Sequence, residues 1–185
     1  MGELFAAIGD DHRAFIARQR MFFAASAAPG ARINISPREA AAFAVVDERT
    51  IVFLDRTGSG AETAAHLKAD GRLTVMFCAF DGPPKILRLY GRGEVLRRGG
   101  PDYAAVLASA FAGKAPVGAR QIVRLHVDSV QTSCGYGVPI YDYRGPRPSL
   151  DNWSNEQGED GLADYRRSKN AVSIDGLPTG LFDDA

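Results

Sequence analysis

Residues Thr50 to Phe80, TIVFLDRTGSGAETAAHLKADGRLTVMFCAF, constrain the fold more than any other stretch. Ile51 to Leu54 and Leu73 to Phe80 are compact β-branched and aromatic runs, which reads as two strands. Between them, Ser59-Gly60-Ala61-Glu62 fits a capping box, with the Ser59 hydroxyl accepting from the amide three residues on and Glu62 reaching back. Ala61, Ala64, Ala65 and Leu67 then give a short helix one small apolar face, and Asp70-Gly71 stops it. The order is strand, glycine-bearing turn, helix, strand. Such a turn gathers backbone N–H groups, two glycines and the hydroxyls of Thr57, Ser59 and Thr63 at a helix N-terminus, where an anion is well held. Arg56 adds a fixed charge one step upstream. The same pattern also serves as a plain cap and chain reversal. Neither a Walker loop nor a G-x-G-x-x-G fingerprint is present.

The flanking segments extend this unit into a sheet. Asp10 is placed to cap a first helix running to about Gln19, and Arg20 to Ala25 reads as extended. Arg32-Ile33-Asn34-Ile35-Ser36 alternates, with the isoleucines on one face and Arg32, Asn34 and Ser36 on the other, and Pro37 is expected to end that strand. Phe43 to Val46 and Ile51 to Leu54 form a hairpin through Asp47-Glu48-Arg49. Leu73, Val75, Phe77 and Ala79 share one face of their strand, while Thr74, Met76, Cys78 and Phe80 make a second face nearly as apolar. A strand greasy on both sides needs cover on both, from the core on one side and a partner subunit or flat ligand on the other.

Lys85 to Leu96 is a long strand in which Gly91 and Gly93 signal a bulge or bend. Pro101 opens a helix stopped by Gly113, and Arg120 to Val130 alternates best of all, with Val123, Leu125 and Val127 inward. From Thr132 the chain turns rich in glycine, proline and tyrosine, with a helix expected around Leu162 to Lys169 and a turn at Asp175-Gly176. The fold class that follows is mainly β (α+β): a small antiparallel β-barrel of about six to seven strands with peripheral helices. Residues 1–131 would form the barrel and 132–185 an arm packed on it or on a second subunit.

With 22 basic and 22 acidic residues, no net field steers the chain toward nucleic acid or an anionic membrane. No run reaches membrane-spanning length and MGELFAAIGDDHR lacks a signal-peptide layout, so a cytoplasmic location is the expectation. Cys78 and Cys134, with His12, His66 and His126, show no metal-ligand spacing. No Ser/His/Asp or paired-carboxylate constellation stands out. Asp55 and Glu62 read as a turn residue and a cap rather than an acid/base pair.

Taken together, Arg32-Ile33-Asn34-Ile35-Ser36-Pro37, Leu54 to Gly60 with Glu62-Thr63, and Met76 to Phe80 resemble the pyridoxamine 5′-phosphate oxidase-like flavoproteins, the split-barrel FMN-binding family. Gly82-Pro83-Pro84, Arg88 to Gly93 and Ser173 to Pro178 extend the resemblance over nearly the whole chain. It implies a split antiparallel β-barrel, a homodimer with FMN at the interface and an FMN-dependent oxidoreductase acting on a small molecule. The implied phosphate site is Asp55, Arg56, Thr57, Gly58, Ser59 and Gly60 with Glu62 and Thr63. The implied ring site is Arg32, Asn34, Ile35 and Ser36, with Met76 and Phe77 on the strand beside them and Arg88 reaching flavin or substrate. No catalytic residue or metal ligand is singled out.

Two departures narrow the activity. The oxidases carry a serine-arginine-lysine run at the phosphate turn, whereas Ser59 is followed by Gly60 and Ala61, so Arg56 or Arg32 must supply the charge. The arginine-rich substrate-binding end of the oxidases is also replaced here, by SIDGLPTGLFDDA. Both argue against oxidation of a vitamin B6 phosphate. The alternatives are a non-catalytic split-barrel protein, one binding haem or a deazaflavin, and a purely structural dimer module. A haem protein needs an axial side chain facing an open cavity, and His66 is the nearest candidate.

Overall fold

The alternating residues after Gly118 form the spine of the molecule. The computed structural model describes residues 2–183. Its strands are β1 (Glu3–Phe5), β2 (Met21–Ser26), β3 (Asn34–Glu39), β4 (Phe43–Val45), β5 (Thr50–Arg56), β6 (Arg72–Cys78), β7 (Ile86–Arg97) and β8 (Ala119–Ser133). Its helices are α1 (Asp10–Arg18), α2 (Glu62–Ala69), α3 (Pro101–Phe111) and α4 (Ser149–Lys169), with a 3-10 turn at Ala40–Ala42. All strand pairs are antiparallel, in the order β3-β2-β6-β7-β8-β5-β4, and β1 adds to β8. Among the described residues no helix is long and apolar enough to cross a membrane.

The sheet curls because β7 and β8 pair along their length and slip register between Tyr90 and Gly91. A Cβ at Gly91 would lie 1.9 Å from the carbonyl oxygen of His126, so only glycine lets the two backbones approach this closely. Curling brings the two ends of the sheet together over a ring of aromatics. Phe22 of β2 packs 5.1 Å from Phe43 of β4 and 5.3 Å from Phe53 of β5, and Phe77 of β6 joins them. This is the split barrel.

β5 is buried on both faces. Ile51 and Phe53 point into the barrel, while Val52 and Leu54 join Ile122, Leu96 and Tyr103 in a second core beneath α3. On β6, Leu73, Val75 and Phe77 are buried and the opposite residues Thr74 and Met76 stay half-exposed. That second face is the one for which outside cover was expected.

Several local expectations need correcting. β3 runs through Pro37 to Glu39, because it is an edge strand and Pro37 has no inward ladder bond to lose. Gly9 rather than Asp10 precedes the first helix, and its amide donates to Nδ1 of His12. Strand β1, only three residues long, adds an eighth strand. The C-terminal helix begins at Ser149, well before Leu162, and is broken at Gly158, where φ is +64°.

Candidate functional site

At the end of β5 the register shifts between Asp55 and Arg56. Thr57 is then fixed, with both its N–H and its hydroxyl donating to the carbonyl of Gly118, at 2.8 and 2.9 Å. The turn that follows has its carbonyls captured. Nδ2 of Asn170 donates to the oxygen of Gly58 at 3.0 Å, and Nη2 of Arg120 donates to the oxygen of Gly60 at 2.8 Å. In a planar trans peptide the C=O and the next N–H point in opposite directions, and no cis peptide occurs here. The N–H groups of Ser59 and Ala61 are therefore turned away from the Asn170 amide and the Arg120 guanidinium respectively. Among the described residues neither donates to any group of the chain. The first turn of α2 adds further unpaired amides and its positive dipole end.

The capture depends on a buried ion cluster. Arg120, 4% exposed, donates from Nε to Asp55 at 2.8 Å and from Nη1 to Oδ1 of Asn170 at 2.7 Å. Asp55, 2% exposed, also accepts from Arg38 at 2.6 Å and from Nε2 of Gln121 at 2.7 Å. Burial alone would raise the Asp55 pKa, but the Arg120 and Arg38 guanidiniums outweigh it and hold the carboxyl far below the usual carboxylate range. Asp55 is thus neither a turn residue nor a proton carrier. It is the anion that positions Arg120.

Beside the turn lies a polar network. Nδ2 of Asn34 donates to Oγ1 of Thr63 at 3.2 Å and to Oγ of Ser26 at 3.4 Å, while Ser36 donates to Oδ1 of Asn34 at 3.1 Å. Ser26 in turn meets Nδ1 of His66 at 3.0 Å. His66 is 1% exposed and its Nε2 is also buried, so it has no open nitrogen to offer a ligand.

The remaining sequence-derived site residues divide. Arg32 is tied to Asp175 by its amide at 2.8 Å and by its side chain, and Arg56 is tied to Glu39, Asp151 and the carbonyl of Val117. Both charges expected at the phosphate are therefore already paired. The capping box does not form. Ala61 is the residue preceding α2, Ser59 makes no cap bond, and Glu62 instead accepts the amide of Ile174 at 3.1 and 3.2 Å. Ile35 is exposed, as are Ile33 and Ile174. Met76 faces outward opposite Arg88, whose guanidinium donates to Ser133 at 3.2 Å. Phe77 has no exposed side-chain surface and belongs to the barrel interior.

Thus the fold brings the turn, Thr63, Asn34 and Ser36 together, and leaves Phe77 on the other side of its strand. Arg120, Asn170, Ser26 and the structural role of Asp55 were missed. One signal for the last was available. Asp55 continues the inward phase of Ile51 and Phe53, and a carboxylate in that phase requires a buried cation.

Residues 8–134 match the family model described as pyridoxamine 5′-phosphate oxidase. The chain is 37% identical over 192 residues to the pyridoxamine 5′-phosphate oxidase family protein ustO of Aspergillus flavus, covering 94% of this chain and 76% of that one. Among solved structures, a point variant of HupZ from Group A Streptococcus superposes with a TM-score of 0.56 at 17% identity, covering 68% of this chain and 99% of that one. A Lactobacillus delbrueckii protein provisionally named a pyridoxamine 5′-phosphate oxidase gives 0.52 at 14% identity, covering 68% and 94%. The structural likenesses establish the barrel, and the sequence matches establish the lineage: this chain belongs to the pyridoxamine 5′-phosphate oxidase family.

Proposed function

We propose that the protein is an FMN-binding flavoprotein, a homodimer that acts as an FMN-dependent oxidoreductase on a small molecule other than a vitamin B6 phosphate. The observation that carries this reading is the capture of the Gly58 and Gly60 carbonyls by Asn170 and Arg120. It leaves the Ser59 and Ala61 amides, among the described residues, without a partner in the chain at a helix N-terminus, which fits a phosphate dianion without an arginine-lysine pair at the turn. Beside them, Asn34 uses its amide N–H groups internally, leaving acceptor capacity on its Oδ1 and on Oγ of Ser36. Those acceptors fit the N–H at the imide edge of a flavin ring.

When bound, FMN supplies hydride acceptance and return of the electrons to an external acceptor. The chain's share is to hold the phosphate, orient the ring edge and exclude water. The exposed Ile33, Ile35 and Ile174, with the half-covered outer face of β6, support a second protomer as the cover on that side.

The test is an absorption spectrum of the purified protein followed by titration with FMN and riboflavin. Two charge-assisted amide bonds of about 1.5 kcal/mol each make FMN bind roughly a hundredfold more tightly than riboflavin. Equal affinity for the two flavins would remove the phosphate site. A Soret band, or retention of a deazaflavin in place of FMN, would replace the cofactor. A light-scattering mass of one chain would remove the dimer.

A further inference from the structure

The end of β3, Pro37 to Glu39, borders a groove that meets the proposed flavin site only at Arg56, Thr57 and Gly58. It is a cavity of about 410 Å³ between the barrel and the strap that leads into α4. Its floor includes Met21 and Leu54, and Tyr143 and Leu150 come from the strap and the start of α4. Adjoining cavities of about 430 and 270 Å³ also have Arg20 and Tyr143 among their lining residues. At one end the groove reaches Thr57 and Gly58, the start of the amide turn.

The charge in this groove is unbalanced. Arg20, Arg38, Arg56 and Arg147 line it against the single carboxylate of Glu39. Arg38 is engaged by Asp55, and Arg56 by Glu39 and Asp151. Among the described residues Arg20 and Arg147 are paired with no carboxylate. Arg20 lies over the Tyr143 ring, 5.4 Å from its centroid. The strap itself is pinned at Tyr141, whose amide donates to the carbonyl of Phe80 at 2.9 Å and whose ring packs on Phe80. A cavity of this size, apolar in its floor with a few convergent cations, has the make-up of a small-molecule site.

We propose that this strapped groove binds a small organic anion, its carboxylate or phosphate head held by Arg20 and Arg147 and its flat apolar body lodged among Tyr143, Met21 and Leu54. Because the groove abuts the turn, this anion is also the substrate class of the flavin reaction, a part of the proposal that rests on the function given above.

Calorimetric titration of the full-length protein with benzoate, phenyl phosphate and neutral benzamide tests the site, with and without FMN. The tighter of the two anions identifies the head group, and benzamide binds at least about tenfold more weakly. Arg147→Ala and Arg20→Ala each weaken the anion about tenfold and leave benzamide unchanged, with circular dichroism confirming the fold. Benzamide binding as well as the anions, indifference to both substitutions, or no binding at millimolar concentration would overturn the site. Displacement of the anion by FMN would also overturn it, because the groove would then be cofactor space. Anion binding that depends on Arg147 in a protein that takes up no FMN would keep the site and discard the flavin reading. FMN uptake with no anion binding would do the reverse.

Discussion

The molecule holds two sets of arginines that obey opposite rules. Arg38 and Arg120 converge on Asp55 inside the barrel end, and Arg120 satisfies three separate acceptors while 4% exposed. Arg20 and Arg147 line the strapped groove in an exposed setting, Arg20 over the Tyr143 ring and neither paired with a carboxylate among the described residues. A buried guanidinium must be paired, since an uncompensated interior charge costs several kcal/mol. An exposed one is solvated and needs no partner to fold. The pairing around Asp55 is therefore explained by the architecture alone, whereas the gathering of unpaired cations at a cavity is not. The first set builds the site; the second is free to meet something that comes to it.

The largest expected effect is on the buried set. Arg120→Met leaves Asp55 short of one guanidinium and frees the Gly60 carbonyl, and should cost about 3–5 kcal/mol in urea denaturation. FMN affinity should fall with it. Adding Asp55→Asn to the same chain should cost less than the sum of the two single changes, because both remove the one Arg120–Asp55 pair. A single-variant cost below about 1 kcal/mol would place Arg120 in the same class as the strap arginines and erase the contrast.

Acid should reach the same cluster. The folded Asp55 pKa is depressed, so its contribution to stability is present above the unfolded value of about 4 and is lost as pH falls toward the folded one. Urea midpoints taken from about pH 6 down to about pH 3 should decline more steeply in the wild type than in Asp55→Asn. At neutral pH the variant should be the less stable of the two. Parallel profiles would mean that Asp55 is not the carboxylate that matters.

A smaller loss is expected at the edge of the cluster. Asn170→Ala removes the bonds to Gly58 and Arg120 and should cost about 1–2 kcal/mol. Its diagnostic effect is on ligand preference. With the Gly58 carbonyl released, the Ser59 amide is no longer aimed, and the preference for FMN over riboflavin should shrink. An unchanged ratio would show that the Gly58 peptide is held by something other than Asn170.

How much of this was legible in advance follows from how far each determinant lies along the chain. The alternation of Val123, Leu125 and Val127 and the glycine at 91 are local signals, and the strand and bulge they predict are present. The amide turn was found for a partly wrong reason. Ser59 and Glu62 have capping-box spacing, yet Ala61 precedes the helix and Glu62 serves the tail through Ile174. What orients the turn comes from Arg120 and Asn170, some 60 and 112 residues away from the glycines they hold, and no short-range pattern carries that pairing. The first half of α4 was missed because Gly158 and Gly161 interrupt a segment poor in apolar residues, in which Leu162 and Ser154 are its buried anchors. Strand β1 is too short for alternation to register.

The smallest effect on stability is expected in the strap. Arg147 is exposed and pairs with no carboxylate among the described residues, so Arg147→Ala should leave the urea midpoint within about 0.5 kcal/mol of wild type. Arg20→Ala removes its contact with the Tyr143 ring and should cost about 0.5–1 kcal/mol, since that is what an exposed cation–π pair is worth. Tyr143→Leu should cost about the same as Arg20→Ala, and the double variant should cost no more than either, because both changes delete one interaction. Costs that add would mean Arg20 stabilises the barrel through some other contact. The strap cations would then share the structural role of Arg120, and their lack of carboxylate partners would no longer point to a ligand.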